Sequence, residues 1–258
     1  MSLAGDIAGR LARLDDGKII RAAFFGMLVA TAAILYFDYR ELMAGDALAF
    51  APADQPILPA FDPNSPDAPP GPAVTTDPTL LQLPLSVALG SGGVLSLTGT
   101  LDPGSAARVL AEINAHGEYI TTVALDSPGG SVTDALAIGQ LIRDKGYTTS
   151  VAAGAFCASS CPLMLAGGRV RLATGQSAIG VHQIYAATRP GTVSERLEAA
   201  GNVMSDAQKM TAVITRYLGQ MGIDPELWLH ALETPPERLY YLSADELMHL
   251  KLVTKITR

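Results

Sequence analysis

The hydrophobic pattern divides the 258-residue chain into distinct parts. Residues 22–37 form an uncharged apolar run that, with the three residues before it, approaches the roughly 17–25 residues of a membrane-spanning helix. Residues 51–84 hold ten of the seventeen prolines and predict an extended tether. From Val87 onward, short apolar runs alternate with longer segments whose apolar residues recur at helical spacing. The pattern predicts an N-terminal tail at 1–18, a transmembrane helix at 19–38, a disordered proline-rich linker at 39–84 and a folded domain at 85–258.

The folded domain alternates between two periodicities. Apolar residues in short runs, or alternating with small polar ones, predict strands at 94–101, 121–130, 148–156 and 170–184, the second running into a turn and the last interrupted by one. Helical spacing predicts helices at 104–117, 131–146, 160–168, 192–221 and 225–233. Strands that alternate with helices indicate βα units. We therefore expect one α/β domain with a parallel sheet and helices on both faces.

The distribution of basic residues predicts an orientation for the apolar run. Four basic residues precede it (Arg10, Arg13, Lys18, Arg21), whereas only Arg40 follows before residues 41–107, which contain no Lys or Arg. The positive-inside rule then places the N-terminus in the cytoplasm. We expect a single-pass protein of a bacterial inner membrane with its folded domain in the periplasm. A cleaved signal peptide is the alternative that the sequence leaves open.

The overall charge and the histidines narrow the functional classes. The net charge is −7 and there is no basic block, so no nucleic-acid partner is expected. The four histidines are scattered and lack the spacing of zinc ligands. The sequence therefore predicts neither a metal site nor a cofactor.

The segment DSPGGSV (126–132) follows a predicted strand and precedes a predicted helix. Gly129 and Gly130 would let the backbone turn so that amide groups point into a cleft, where amides of this kind stabilise an oxyanion. The alternative is an ordinary turn, because the composition Ser-Pro-Gly-Gly is common in turns.

A second segment, GAFCASSCPLMLAGG (154–168), places Ser159 and Ser160 between the two cysteines of the chain. A strand is expected to end near Phe156 and a helix to begin near Ser160, since proline is tolerated in a helix's first turn. A serine at such a junction is a candidate nucleophile, although serine also favours helix caps. His182, in GQSAIGVHQIY (175–185), is a candidate general base if it reaches a serine hydroxyl.

These segments, in this order, resemble the proteolytic subunit of the Clp protease and its relatives in the ClpP/crotonase superfamily. The segment YLSADELMHLKLVTKI (241–256) extends the resemblance, which covers about residues 94–256. It implies a ClpP/crotonase-like fold, a serine peptidase active on peptides or unfolded protein segments, and a ring-like homo-oligomer with the helix at 192–218 at subunit contacts. It also implies site residues: Ser159 as nucleophile, His182 as base, and an oxyanion hole from Gly129, Gly130, Ser131 and Ser160. Ser160 as nucleophile is the alternative.

One position departs from the family pattern. Leu239 stands where the family has the aspartate that completes the catalytic triad. Glu237 or Glu233 could substitute for it, or the site could be a Ser-His dyad or an inactive scaffold that binds peptides. A Ser-Lys dyad through Lys209 and a crotonase-like acyl-thioester enzyme are less compatible with a histidine in this register. No ATPase partner is expected for a periplasmic domain.

Cys157 and Cys161 flank Ser159 at two residues on each side. In an oxidising compartment two nearby cysteines favour a disulfide, and a helix start between them would bring their Cα atoms to a suitable separation. Two buried free thiols are the alternative.

Overall fold

A computed structural model describes residues 16–44, 71–183 and 193–257. The chain divides into two units, residues 1–50 and 51–258. In the first unit, helix α1 (Asp16–Ala44) contains an 18-residue stretch, Ile20–Phe37, with a mean hydropathy of 1.8 and no buried residues. By length and composition, α1 is the one described helix that could cross a membrane, and its apolar stretch lies within the predicted span at 19–38. The helix continues to Ala44, so the first six residues of the predicted linker are helical.

The second unit is a mixed α/β domain. Its strands are β1 (Ser86–Leu89), β2 (Val94–Thr98), β3 (Thr122–Asp126), β4 (Thr148–Ser150), β5 (Phe156–Ala158), β6 (Arg171–Thr174), β7 (Ala178–Val181), β8 (Tyr240–Tyr241) and β9 (Lys255–Thr257). Its helices are α2 (Pro78–Gln82), α3 (Ser105–His116), α4 (Val132–Lys145), α5 (Cys161–Gly167), α6 (Val193–Met221), α7 (Glu226–Glu233) and α8 (Ala244–His249).

The strands form two sheets. The larger sheet has the order β1-β2-β3-β4-β6-β9, and all its strands are parallel to their neighbours except β1, which pairs antiparallel with β2. The smaller sheet has the order β5-β7-β8, with β5 and β7 parallel. One parallel bridge between Ser127 and Cys157 joins the end of β3 to the smaller sheet.

Burial follows the position of each strand. In β2 and β3 every second residue is buried, which is typical of a strand whose two faces differ, whereas all residues of β5 and β7 are buried. Helix α5 is buried along its whole length, so the segment that follows Ser159 is part of the core. The candidate nucleophile therefore stands between two buried, well-packed elements.

The predicted α/β class with a parallel sheet and helices is confirmed, but the prediction of a single sheet is not. The apolar run at 148–156 is divided: β4 ends at Ser150 and joins the larger sheet, and β5 begins at Phe156 in the smaller one. Periodicity could not show this, because Ala152, Ala153 and Gly154 suit a turn as well as a strand.

The packed domain also begins earlier than Leu85. Val74 and Leu81 are both buried, and the described chain contacts the domain from Gly71 onward. The last part of the predicted linker, from Gly71 to Pro84, is therefore part of the folded domain. Residues 45–70 of that linker, and most of the predicted tail, lie outside the described residues.

Candidate active site

The fold brings the three sequence segments side by side. Strands β5 and β7 pair in parallel, with Ala158 opposite Gly180, so that Ser159 and His182 follow the carboxyl ends of neighbouring strands. Ser127 lies on the other side of β5: its amide donates to the Phe156 carbonyl at 2.6 Å, and its carbonyl accepts from Ala158 at 3.1 Å. The segment that begins DSPGG is thus held against the strand that carries Ser159.

Ser159 has an unusual backbone conformation. Its φ is +61°, in the left-handed region that few residues other than glycine adopt. Its amide donates to the Gly180 carbonyl at 3.0 Å, which fixes the turn between β5 and α5. A sharp strand-to-helix turn of this kind lifts the serine side chain out of the backbone path, as in the nucleophile elbow of hydrolases. The side chain is half-buried, so it remains reachable.

Ser160 is held differently. Its side chain is buried and its hydroxyl donates to the Gly130 carbonyl at 3.3 Å. This hydroxyl is committed within the protein, whereas the structure records no such bond for the Ser159 hydroxyl to the described residues. Of the two adjacent serines, Ser159 is the better placed nucleophile.

The glycine pair lies in contact with Ser159. Gly129 and Gly130 have φ values of +94° and +134°, and a Cβ atom on Gly129 would lie 2.7 Å from the Ser159 Cβ. On Gly130 a Cβ atom would lie 2.3 Å from the Leu101 carbonyl oxygen. Both positions therefore require glycine.

Two of the four predicted oxyanion amides are engaged elsewhere. The Gly129 amide donates to the buried Ser127 hydroxyl at 3.2 Å, and the Ser131 amide donates to the Leu101 carbonyl at 2.7 Å. Ser131 instead caps α4, where its hydroxyl accepts from the Asp134 amide. Among the described residues, the amides of Gly130 and Ser160 have no acceptor, and these two can serve an oxyanion.

The His182 ring is buried and its Nδ1 atom lies 2.8 Å from the Pro236 carbonyl oxygen. A carbonyl can only accept, so Nδ1 carries the hydrogen and, in the neutral ring, Nε2 has the free lone pair. Burial lowers the pKa of His182 below its usual value, while the Pro236 hydrogen bond and the negative charge of Glu237 oppose the shift. The ring is therefore neutral at neutral pH, as a general base must be.

The geometry gives the His182 ring a hydrogen-bond partner other than Glu237, which the sequence offered as a substitute for the family's aspartate. The hydrogen-bond partner of Nδ1 is the backbone carbonyl of Pro236, and the exposed Glu237 acts on the ring through its charge alone. Leu239, at the family's aspartate position, is buried in an apolar cluster beneath β5 with Phe156 and Ala158. Glu233, the other carboxylate considered, is exposed at the end of α7.

Cys157 and Cys161 are both fully buried, and their Sγ atoms lie at the bonding distance of 2.01 Å. Their Cα atoms are 5.2 Å apart, because Cys157 lies in β5 and Cys161 begins α5. The structure thus closes a short loop around Ser159. Thiol titration remains the direct test of this bond.

Sequence reasoning missed two parts of the site. It sought a carboxylate beside His182, but a backbone carbonyl acceptor cannot be recognised from side-chain identity. The available signal was the Pro235-Pro236 pair, which restricts the conformation of the loop that presents the carbonyl. It also missed the role of Ser127 in holding Gly129. Within residues 16–44, 71–183 and 193–257, no group of three or more His, Cys, Asp or Glu side chains could hold a metal ion.

Comparison with known families gives one match, to the Clp protease family over residues 93–258. A search of curated proteins finds no significant match. The matched region includes β2 to β9, the glycine pair, both serines and His182, and it covers more than half of the chain. The chain therefore belongs to the Clp protease family.

Proposed function

We propose that this protein is a membrane-anchored serine peptidase that hydrolyses peptides or unfolded protein segments through a Ser159–His182 dyad. The single observation that carries the proposal is the Nδ1–H donation from His182 to the Pro236 carbonyl. This bond sets the tautomer whose Nε2 atom accepts a proton. His182 directly follows β7, the strand next to β5, and Ser159 directly follows β5. The Pro236 carbonyl thus orients the imidazole ring, which is one of the two functions of the missing aspartate.

The proposed reaction follows the acyl-enzyme route. His182 Nε2 takes the proton from Ser159 Oγ as that oxygen attacks the scissile carbonyl carbon. The amides of Gly130 and Ser160 donate to the resulting oxyanion. The imidazolium then gives its proton to the leaving amine, and an acyl-enzyme forms. Water, deprotonated by the same histidine, hydrolyses the acyl-enzyme and regenerates the serine.

The missing carboxylate has an energetic consequence. An aspartate both orients the ring and stabilises the imidazolium that forms during the reaction. The Pro236 carbonyl supplies the orientation, but among the residues that the structure describes only the exposed Glu237 is recorded as placing negative charge near the ring, and solvent screens it. We therefore expect slower turnover than that of a peptidase with a complete triad.

The cellular setting is part of the proposal. The length and composition of α1 support a membrane anchor, and the basic residues on its N-terminal side support a periplasmic domain. The family suggests peptide substrates and homo-oligomers. The oligomer would use α6, whose Val213 is exposed, and no ATPase partner is expected in that compartment.

A catalytically inactive peptide-binding scaffold is the competing function, and the burial of Leu239 in an apolar cluster favours it. Reaction with a fluorophosphonate probe separates the two. If the proposal is right, the wild-type protein becomes labelled and Ser159→Ala does not. Ser160→Ala tests the other serine and is expected to remain labelled, because it keeps the Ser159 hydroxyl and the backbone amide of residue 160. Its labelling should be slower than that of the wild type, since the hydroxyl no longer bonds to the Gly130 carbonyl.

Each contrary outcome has a definite meaning. Absence of labelling in the folded wild-type protein would reject the peptidase and leave the scaffold. Labelling that is lost in Ser160→Ala and kept in Ser159→Ala would show that Ser160, not Ser159, is the nucleophile. Substrate cleavage should follow the same order among the three proteins, measured with an unstructured peptide.

A further inference from the structure

We propose that residues 71–77, upstream of the family match, form a strap that positions the nucleophile strand β5. The inference deepens the proposed function, and it rests on that function where it concerns the reactivity of Ser159. The strap, defined as residues 71–77, was predicted to be the end of a disordered linker. In the structure it contacts Tyr241 of the smaller sheet, Gly154 just before β5, and Asp126 at the end of β3.

The first contact is apolar. Val74 is only 8% exposed and belongs to a cluster with Phe156 and Ala158, both of them in β5. Leu239, the leucine at the family's aspartate position, belongs to the same cluster. The strap therefore packs into the apolar cluster that contains this leucine and two residues of β5, the strand that Ser159 directly follows.

The second contact is a chain of polar interactions that ends on β5. The Thr76 hydroxyl donates to one carboxylate oxygen of Asp126 at 2.7 Å. The other carboxylate oxygen accepts from the Phe156 amide at 2.9 Å. Asp126 is thus fixed at both oxygens, and it transmits the position of the strap to a peptide three residues before Ser159. Hydrogen bonds to a charged acceptor are the stronger kind.

The third contact holds the strap closely. The Thr75 amide donates to the Gly154 carbonyl at 2.9 Å, and a Cβ atom on Gly154 would lie 2.2 Å from the Thr75 hydroxyl oxygen. At the other end of the strap, a Cβ atom on Gly71 would lie 2.5 Å from the Tyr241 ring. Such close packing is unlike that of a solvated tether. With the strap held in this way, the bonds from Thr76 to Asp126 and from the Phe156 amide to Asp126 make Thr76 and Asp126 positioning residues for the reaction.

The test uses full-length protein and three threonine variants. Thr76→Val keeps the shape and removes the donor to Asp126, whereas Thr76→Ser restores the donor. Thr79→Val is the matched control: among the described residues the Thr79 hydroxyl bonds to Asp77, where the strap meets α2, and to neither Asp126 nor β5. Two quantities are measured: amide hydrogen exchange of the segment 155–160, and the rate of fluorophosphonate labelling resolved into binding and acylation steps.

We expect Thr76→Val to speed exchange of the Phe156 amide by roughly tenfold, because the carboxylate that holds this amide loses its second anchor. The acylation step should slow by roughly tenfold with probe binding unchanged, since a small displacement of a nucleophile is costly. Thr76→Ser should restore both quantities, and Thr79→Val should change neither.

Unchanged exchange at 155–160 in Thr76→Val would overturn the strap, whatever the enzyme activity. Equal effects of Thr76→Val and Thr79→Val would overturn it too, because general destabilisation would then explain both. If the wild-type protein is not labelled at all, the proposed peptidase fails, while the exchange measurement still decides whether the strap positions β5.

Discussion

Ser159 and His182 follow neighbouring parallel strands, yet the two residues are held by different kinds of interaction. Ser159 lies in a left-handed turn that is held by flanking cysteines close enough to bridge and by a bond to Gly180 on the neighbouring strand. His182 is fixed by a carbonyl 54 residues further along the chain. The candidate nucleophile half of the site therefore combines a local turn with contacts from β7 and the strap, whereas the tautomer of the candidate base depends on one distant carbonyl.

The comparison separates the orientation of the imidazole ring from its negatively charged partner. A serine in a strained turn has few substitutes, because the turn itself places the hydroxyl. An imidazole needs only an acceptor at Nδ1 to set its tautomer, and either a carboxylate or a backbone carbonyl provides one. What the carbonyl lacks is negative charge. The following predictions test the two halves separately, beginning with the largest effect.

Removing the candidate base, His182, should have the largest effect on the rate. We expect His182→Ala to reduce the acylation rate by about 10³–10⁴-fold, the upper range for a general base. Single-turnover kinetics with the fluorophosphonate probe measures this effect. His116→Ala is the matched control, because His116 is an exposed residue at the end of α3. A loss below about tenfold in His182→Ala would mean that Ser159 does not depend on this base.

The glycine pair tests the nucleophile half. We expect Gly129→Ala to reduce activity by about 10²-fold, the typical cost of disturbing an oxyanion hole. The added methyl would lie 2.7 Å from the Ser159 Cβ and 2.8 Å from the Ser160 amide nitrogen. The rate of peptide cleavage and the melting temperature should be measured together.

Gly175→Ala is the control for that substitution, since nothing lies within 4 Å of a Cβ there and its φ is not in the left-handed region. Full activity of Gly129→Ala would show that the glycine loop can move away from Ser159. The oxyanion assignment would then be wrong.

The same division explains what the sequence could predict. The alternation of strands and helices, the turn at Gly129-Gly130 and the register of Ser159 and His182 depend on local patterns, and the chain displays them. The Pro236 carbonyl and the strap could not be predicted, because both are contacts of backbone or small polar groups between distant segments. A threonine or a proline looks the same in the sequence whether its hydroxyl or carbonyl makes a tertiary contact or faces solvent in a loop.

The cysteine pair tests whether the turn at Ser159 needs a covalent constraint. In the chain-entropy picture a five-residue loop contributes about 2 kcal/mol to stability. We expect the double variant Cys157→Ala/Cys161→Ala to lose stability of this order and to acylate roughly tenfold more slowly, because the turn can relax. Denaturant unfolding and labelling rates measure the two effects.

Thiol titration of the denatured, unreduced wild-type protein is the accompanying control. No free thiol is expected in material purified from an oxidising compartment, and two free thiols would refute the bridge. Labelling at the wild-type rate in the double variant would show that packing alone holds the left-handed turn.

The smallest effect concerns Glu237. Its negative charge raises the pKa of His182 and partly offsets the lowering caused by burial. Glu237→Gln should therefore lower that pKa further, so the acid limb of the rate profile moves to lower pH. At neutral pH the change in rate should be less than about fivefold, because an exposed charge interacts weakly. Glu233→Gln should leave the acid limb in place. A shift to higher pH in Glu237→Gln would contradict the proposed electrostatics, and a far larger loss would indicate that Glu237, not the Pro236 carbonyl, orients the ring during catalysis.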